Sequence, residues 1–257
     1  MRGLFIFIGE SFRDFTDTSI FGPRRLKDSE NSFKIQKEAC ESHMRLCQYL
    51  TLNNLDVDIA INTCDTKFKN DLISFYDNIK LINFINKSKS HEKGRDFKIV
   101  VDESIKFIKN NLDINDYEFI FICRIDLLLK SEFITRFLPI RDKIIYPNIM
   151  SISGNVFKIN NKKNCCISDV FCIIPKNYYN ILNNTGLLQH HAINRLHELN
   201  LKIKKDIDFF TDRIYVANTV QQGNPLYKIV NRPEGSLDFK DNHKKKFNIE
   251  LLKIETI

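Results

Sequence analysis

Two charged side chains interrupt an apolar segment of this sequence, "FIFICRIDLLLK" at residues 119–130. The part before them is typical of a buried strand, so Arg124 and Asp126 are expected where that strand ends. Residues i and i+2 of a strand face the same side, which lets the two charges act together. An aspartate there can hold a hard divalent cation that neutralises phosphate oxygens, and the arginine keeps the carboxylate ionised. The alternative is a buried structural ion pair, or a polar edge of the sheet.

Polar residues also follow two earlier apolar segments, with "GESFR" at residues 9–13 and "NTCDT" at residues 62–66. Gly9 permits a tight turn and a close approach of the backbone to a ligand. Arg13 carries a guanidinium fork that suits phosphate oxygens, the alternative being an ordinary exposed loop arginine. Neither GxGxxG nor GxxxxGK[ST] occurs here, so the segment is neither a dinucleotide fingerprint nor a phosphate-binding P-loop.

Asp169 lies between a polar loop at residues 160–164 and an apolar segment at residues 170–174. One interpretation is a carboxylate that flanks or caps a strand. The other is a second active-site carboxylate, which acts as general base on an acceptor hydroxyl.

One predicted helix, at residues 32–52, places Gln36, Cys40 and His43 on a single largely apolar face, because their spacing is i, i+4 and i+7. These side chains are either satisfied polar groups of the core or groups that reach into a pocket. No pair of histidines in the sequence has the spacing of a metal-binding helix, so zinc is not expected.

The elements that must position these residues alternate between strands and helices. Short apolar segments predict strands at residues 4–8, 57–62, 80–85, 118–123, 143–146 and 168–174, and an extended segment at residues 206–215. Helical spacing predicts helices at residues 32–52, 67–77, 95–110, 176–183 and 186–200. The alternation predicts the α/β class, with a mixed, mostly parallel central sheet flanked by helices. Ligands of such sheets bind beyond the carboxyl ends of the strands, where the polar segments described above should meet.

Composition excludes several function classes. The net charge is +7, but the lysines are scattered and no basic stripe interleaved with aromatic residues occurs, so nucleic acid is not an expected partner. Seven cysteines without a CxxC pair indicate free thiols in a reducing compartment, which favours a cytoplasmic location. No apolar segment has the length of a membrane span, and the apolar segment at residues 4–8 is too short for a secretory signal. No composition break divides the chain, so residues 1–257 are predicted to form a single domain.

Several short segments together resemble a family of glycosyltransferases found in large DNA viruses and in microbial surface-polysaccharide gene sets. The segments are FIFIGESFR, QKEACESH, INTCDT, FICRIDLLLK, SDVFCIIPK and NPLYKIVNRPE. The resemblance implies the GT-A fold, a Rossmann-like nucleotide-sugar-binding domain. It further implies a nucleotide-sugar-binding half at residues 1–130 and an acceptor-side half with a C-terminal loop at residues 131–257. A viral source would place the protein in the host cytoplasm.

The same resemblance implies roles for individual residues. GT-A enzymes end a central strand with a DxD motif whose carboxylates hold Mn²⁺ or Mg²⁺ on the diphosphate of the donor. Here Arg124 replaces the first Asp, and only Asp126 carries over, as ligand of the metal or of the ribose and diphosphate. Arg124 could itself offset phosphate charge, which puts the metal dependence in question. By the same implication the nucleotide pocket is lined by Gly9, Glu10 and Arg13, with Thr63 near the base or ribose and Asp169 on the acceptor side.

The function predicted is transfer of a sugar from a nucleotide-sugar donor, UDP- or GDP-linked, to a hydroxyl of a glycan or glycoprotein acceptor. One alternative is a sugar-phosphate nucleotidyltransferase, although the segment "GESFR" is poor in the glycine that such a phosphate loop needs. The other alternative is a non-catalytic polyanion-binding protein that uses the charge of +7.

Overall fold

The computed structural model describes residues 1–12, 28–85, 97–137, 142–147, 149–151, 165–167, 170–183, 201, 205–210, 215–216 and 226–229. Its strands are β1 (Arg2–Gly9), β2 (Asp56–Cys64), β3 (Ile79–Ile85), β4 (Phe119–Arg124), β5 (Leu127–Leu129), β6 (Ile144–Tyr146), β7 (Ile149–Ser151), β8 (Cys165–Ile167), β9 (Phe171–Pro175), β10 (Ile207–Phe209), β11 (Tyr215–Val216) and β12 (Tyr227–Ile229). Its α-helices are α1 (Glu30–Leu52), α2 (Lys69–Ser74), α3 (Phe97–Asn111) and α4 (Ser131–Arg136), and 3₁₀ segments occupy Ile114–Asp116 and Lys176–Asn183.

Seven strands form one sheet in the order β10-β6-β9-β4-β1-β2-β3. Strands β3, β2, β1 and β4 are parallel neighbours, and the antiparallel strand β9 separates β4 from β6. The order 3-2-1-4 is found in Rossmann folds, where it includes one half of the sheet and the first strand of the other half. The predicted α/β class with a mixed, mostly parallel sheet flanked by helices is therefore confirmed, and the sheet takes strands from both predicted halves of the chain.

Burial on both faces explains why the central strands are continuous apolar segments. Phe5, Phe7 and Phe121 pack on the side of the sheet that α1 covers. Ile6 and Ile122 belong to the second core cluster, on the side of α3. Because successive side chains of a strand point to opposite faces, both sets must be apolar.

Helix α1 begins at a capping box. Ser29 Oγ accepts the Ser32 N–H (3.0 Å) and Ser32 Oγ accepts the Ser29 N–H (3.0 Å), which satisfies two donors at the start of the helix. The helix packs its inner face on the sheet, and this buried face includes polar side chains as well as Ala39 and Leu46.

Some predicted elements differ in extent or type. The segment at residues 67–77 is helical only over Lys69–Ser74, and Lys176–Asn183 is a 3₁₀ segment. Strand β4 includes Arg124 and then turns, and the short strand β5 pairs with β12. The helix predicted at residues 186–200 lies outside the described residues.

Four cysteines predicted to be buried thiols, Cys40, Cys47, Cys123 and Cys172, are buried and form no disulfide. Burial raises the pKa of Cys40 to about 11 and that of Cys47 to about 12, so both thiols stay protonated at neutral pH. Among the helices that the structure describes, none combines the length and apolar character needed to cross a bilayer.

Candidate functional site

The strand order reverses between β1 and β4, and this is the point at which open α/β sheets bind ligands. Ile8 of β1 lies opposite Arg124 of β4, and the N–H of Ile125 donates to the carbonyl of Ile8 (2.8 Å). On the other side of β1, Gly9 lies opposite Thr63 of β2. We call residues 9–12 after β1 and residues 124–126 at the end of β4 the switch-point edge.

Arg124 and Asp126 bind each other at this edge. Arg124 Nε donates to Asp126 Oδ1 (2.9 Å), and Arg124 Nη2 donates to Asp126 Oδ2 (2.7 Å). The side chains are only 8% and 3% exposed. The chain turns at Ile125, and the two charges meet in the two-pronged geometry that a planar guanidinium offers a carboxylate. The buried ion pair considered as an alternative in the sequence is thus what the structure contains, at the edge where a ligand site was predicted.

The exit of β1 is braced by its neighbours. Gly9 (φ 111°) and Phe12 (φ 51°) have left-handed backbone conformations, and the latter is unusual for a bulky residue. Thr63 Oγ1 donates to the carbonyl of Gly9 (2.9 Å) and accepts the Ser11 N–H (3.2 Å). Gln36 Oε1 accepts the Phe12 N–H (3.2 Å). Thr63, predicted to lie near a base or ribose, is fully buried, and its hydroxyl holds this loop.

Side chains of α1 make hydrogen bonds to the backbone of alternate residues in the segment that follows β4. All the α1 side chains that make these contacts are fully buried. The bonds join Gln36 Nε2 to Ile125 O (2.9 Å), His43 Nε2 to Leu127 O (2.7 Å) and Leu129 N to Ser42 Oγ (2.9 Å). Gln36 also lies 3.6 Å from the sulfur of Cys40, measured from Nε2. The interpretation of Gln36, Cys40 and His43 as satisfied polar groups of the core is therefore confirmed.

His43 is a neutral imidazole in this environment. Burial lowers its pKa to about 4, and this outweighs the opposite effects of the Leu127 carbonyl and the Asp126 carboxylate. Its Nδ1 lies 2.8 Å from the hydroxyl of Tyr76. We assign the proton to Nε2, which donates to the Leu127 carbonyl, so that Nδ1 accepts from the tyrosine hydroxyl. The ring stacks on Phe7 at 4.2 Å between centroids.

The described residues do not fit a divalent cation at Asp126. Both oxygens of its carboxylate accept hydrogen bonds from Arg124. Within the described ranges no three His, Cys, Asp or Glu side chains come together as a metal-binding group. Mn²⁺ or Mg²⁺ would have to compete with the guanidinium for the same oxygens, because such ions also need oxygen ligands.

Five of the site residues predicted from the sequence lie within the described residues, and the structure brings them to the ends of three adjacent strands. These residues are Gly9, Glu10, Thr63, Arg124 and Asp126. Arg13 and Asp169 lie outside the described residues, and their roles stay predictions from the sequence. Sequence reasoning did not assign Ser42 and Tyr76 to this network. A polar residue on the inner face of a helix was the available signal for Ser42, because buried polar groups need partners.

A cavity of about 620 Å³ lies at the opposite edge of the sheet. It is lined by residues 109–115 at the end of α3 and before β4, together with Tyr179, Asn180 and Asn183. Lys109 Nζ donates to the side-chain oxygen of Asn183 across this groove. The cavity is therefore separate from the switch-point edge.

No protein-family model matches this sequence, and no curated protein matches it. Solved structures with a similar chain path include the inositol-1-phosphate CTP transferase from T. maritima, at 10% identity and TM-score 0.42, covering 81% of this chain and 85% of that one. A mutant of Drosophila β1,4-galactosyltransferase 7 in complex with manganese, UDP-Gal and xylobiose matches at 10% identity and TM-score 0.38, and the match covers 100% of this chain and 80% of that one. A glycosyltransferase involved in glycosylation of the major capsid of PBCV-1 matches at 7% identity and TM-score 0.38, and the match covers 91% of this chain and 95% of that one. Likenesses at this level say nothing about what this chain binds.

Proposed function

We propose that this protein is a glycosyltransferase that moves a sugar from a UDP- or GDP-linked donor to a hydroxyl of a glycan or glycoprotein. The observation that carries the proposal is the buried Arg124–Asp126 pair at the point where the strand order reverses. The resemblance of six short segments to GT-A glycosyltransferases supports the same function.

The energetics of the pair favour a role beyond stability. Removing two charges from water costs several kcal/mol per ion, and apolar residues of similar volume often stabilise a fold equally well. Arg124 and Asp126 are nevertheless kept almost out of contact with water at a ligand-binding edge. Such a pair is useful where a charged ligand must be recognised.

The chemistry of glycosyl transfer matches these groups. The bond between the anomeric carbon and the diphosphate oxygen breaks, and negative charge develops on the leaving group. We assign stabilisation of that charge to the guanidinium of Arg124, which Asp126 holds in one orientation. The bond to the acceptor oxygen forms as its proton passes to a base, a role that the sequence predicts for Asp169. No step is assigned to a metal ion.

The test is a panel of nucleotide sugars measured by thermal shift and calorimetry, in Mn²⁺ and in EDTA. We expect a UDP- or GDP-sugar to raise the melting temperature of the wild type, and Asp126→Asn to remove that effect. Asp58→Asn is the matched control, because Asp58 is also a buried aspartate but lies at the opposite edge. The proposal is wrong if no donor binds under either condition.

Two further arms test the alternatives. Release of pyrophosphate from a nucleoside triphosphate and a sugar phosphate would establish nucleotidyl transfer instead. The loop after β1 argues against it, because it is poor in glycine and the Ser11 and Phe12 N–H groups donate to Thr63 and Gln36, so these two groups do not form the open nest of a phosphate loop. Strongly salt-dependent binding to nucleic acid would favour a polyanion-binding protein.

A further inference from the structure

Gln36 contacts both chain segments of the switch-point edge. Its side chain is fully buried in α1, and both ends of its amide are used. Oε1 accepts the Phe12 N–H after β1 (3.2 Å), and Nε2 donates to the Ile125 carbonyl after β4 (2.9 Å). One side chain therefore joins the exits of the two central strands between which the strand order reverses.

Both contacts fall where the backbone needs support. Phe12 has a left-handed conformation that bulky residues rarely adopt, and its ring packs on Phe33 and Phe68. The bond to Gln36 and this packing hold the residue in that conformation. On the other side, Ile125 lies between the two members of the ion pair. A movement of its carbonyl would move both charged side chains.

Packing alone does not require an amide at this position. The same buried face of α1 carries Ala39 and Leu46, and an apolar side chain would avoid the cost of burying an amide. Besides its contact with the sulfur of Cys40, Gln36 offsets that cost by hydrogen bonds to the two exits, which lie 24 and 89 residues away along the chain. The amide of Gln36 therefore has its role in the hydrogen bonds to the two exits and not in packing.

We propose that Gln36 is a positioning residue that sets the distance between loop 9–12 and the Arg124–Asp126 pair. In doing so it shapes the site that would hold the diphosphate of the donor. The part of this inference that concerns the donor rests on the proposed glycosyltransferase function, and the part that concerns the two exits does not.

Gln36→Met tests the proposal, because methionine has a similar length and makes neither hydrogen bond. Ser42→Ala is the matched control on the same helix, since it removes the acceptor of the Leu129 N–H outside the switch-point edge. We expect Gln36→Met to raise the Kd for the donor about tenfold, equivalent to about one hydrogen bond, and Ser42→Ala to change it less than about twofold. Calorimetry with the best nucleotide sugar of the panel measures both values, and steady-state kinetics should show the loss chiefly in KM.

Amide hydrogen exchange tests the structural part without any ligand. Gln36→Met should speed exchange of the Phe12 N–H, which loses its acceptor, and should shift the carbonyl ¹³C resonance of Ile125, which loses its donor. Exchange of the Leu129 N–H should stay unchanged, whereas Ser42→Ala should affect only Leu129. Gln36→Glu is a second variant in case the methionine variant does not fold. In its ionised form it keeps an acceptor for the Phe12 N–H and has no proton to donate to the Ile125 carbonyl, so only the Ile125 carbonyl resonance should shift.

Each outcome decides a separate question. A wild type that binds no nucleotide sugar defeats the proposed function, while exchange of the Phe12 N–H and the carbonyl resonance of Ile125 still decide whether Gln36 joins the exits. Unchanged Phe12 exchange together with an unchanged Ile125 carbonyl resonance in Gln36→Met overturns the positioning role. Equal losses of donor affinity in Gln36→Met and Ser42→Ala would show that the effect comes from general destabilisation, which also overturns it.

Discussion

The two edges of the central sheet each hold a buried aspartate, and the two are paired in different ways. Asp58 at the amino edge contacts Arg2 Nη2 (2.6 Å) and the hydroxyl of Tyr117 (3.0 Å), and Arg2 is 46% exposed. Asp126 at the carboxyl edge is paired with Arg124, whose side chain is 8% exposed. Lys80 Nζ also lies 3.9 Å from Asp58 Oδ1, and both cations at the amino edge keep nearly half of the side chain in water.

This difference changes what each pair contributes. An exposed cation is well solvated with or without its partner, so the amino-edge pair is weakly coupled to stability. At the carboxyl edge neither charge is well solvated, and the loss of one removes two hydrogen bonds from the other while it stays buried. The same two residue types thus form a half-exposed pair at one edge and a buried, strongly interdependent pair at the other.

The largest expected effect is at Arg124. Arg124→Ala should lower the free energy of unfolding by about 3–5 kcal/mol, because the buried Asp126 carboxylate loses both hydrogen bonds from the guanidinium. Urea unfolding monitored by circular dichroism measures the change. The double variant Arg124→Met, Asp126→Leu should recover most of this loss and bind no donor. A loss below about 1 kcal/mol in Arg124→Ala would mean that the two edges do not differ as described.

A smaller effect should appear on acidification, through His43 beside the carboxyl edge. Its folded pKa of about 4 is below the ordinary value of 6.5, so the unfolded chain takes up the proton first as pH falls. The stability present above pH 6.5 should decline by about 2 kcal/mol between pH 7 and pH 5. Urea unfolding at several pH values measures it, and His43→Gln, which cannot titrate, is the control. The prediction fails if both proteins show the same pH dependence.

The brace on the exit of β1 should have an effect of about 1–2 kcal/mol. Thr63→Val removes the hydroxyl that donates to the Gly9 carbonyl and accepts the Ser11 N–H, which leaves buried polar groups without this partner. Thr63→Ser keeps the hydroxyl and should stay close to wild type. Chemical denaturation of both variants provides the comparison, and an unchanged stability in the valine variant would show that the hydroxyl does not hold the exit of β1.

The smallest effect is expected at the amino edge. Asp58→Asn should cost about 1 kcal/mol or less, because Arg2 remains solvated and an asparagine oxygen can still accept from Tyr117. The loss should shrink further at high salt, which screens the exposed partner. Thermal melts at two salt concentrations measure it, and a loss as large as that of Arg124→Ala would remove the contrast between the edges.

The central elements were predictable because their signals are local. Continuous apolar segments mark strands β1, β2 and β4, and the helical spacing of apolar residues marks α1. Strand β5 has only three residues, which is too few to show the alternation of a strand. This strand forms through pairing with a distant segment, β12.

The location of the candidate site could be predicted from the sequence, but the contacts between its side chains could not. Polar residues at the ends of parallel strands must meet at one edge, which is why Gly9 and Asp126 could be assigned to it from the sequence. Whether Arg124 turns toward Asp126 depends on the turn at Ile125. The spacing of the two charges predicts that they lie side by side on a continuing strand. The turn instead lets the Arg124 side chain donate directly to Asp126.

By itself, the sequence determined the α/β class, the main strands and the edge at which polar groups collect, because periodicity and strand ends are properties of neighbouring residues. The tertiary structure alone decided that Arg124 and Asp126 form a closed, buried pair, and that Gln36 joins two exits far apart in the chain. Hydrogen bonds of this kind depend on where the fold brings distant groups and on their removal from water. Neither quantity can be read from local spacing.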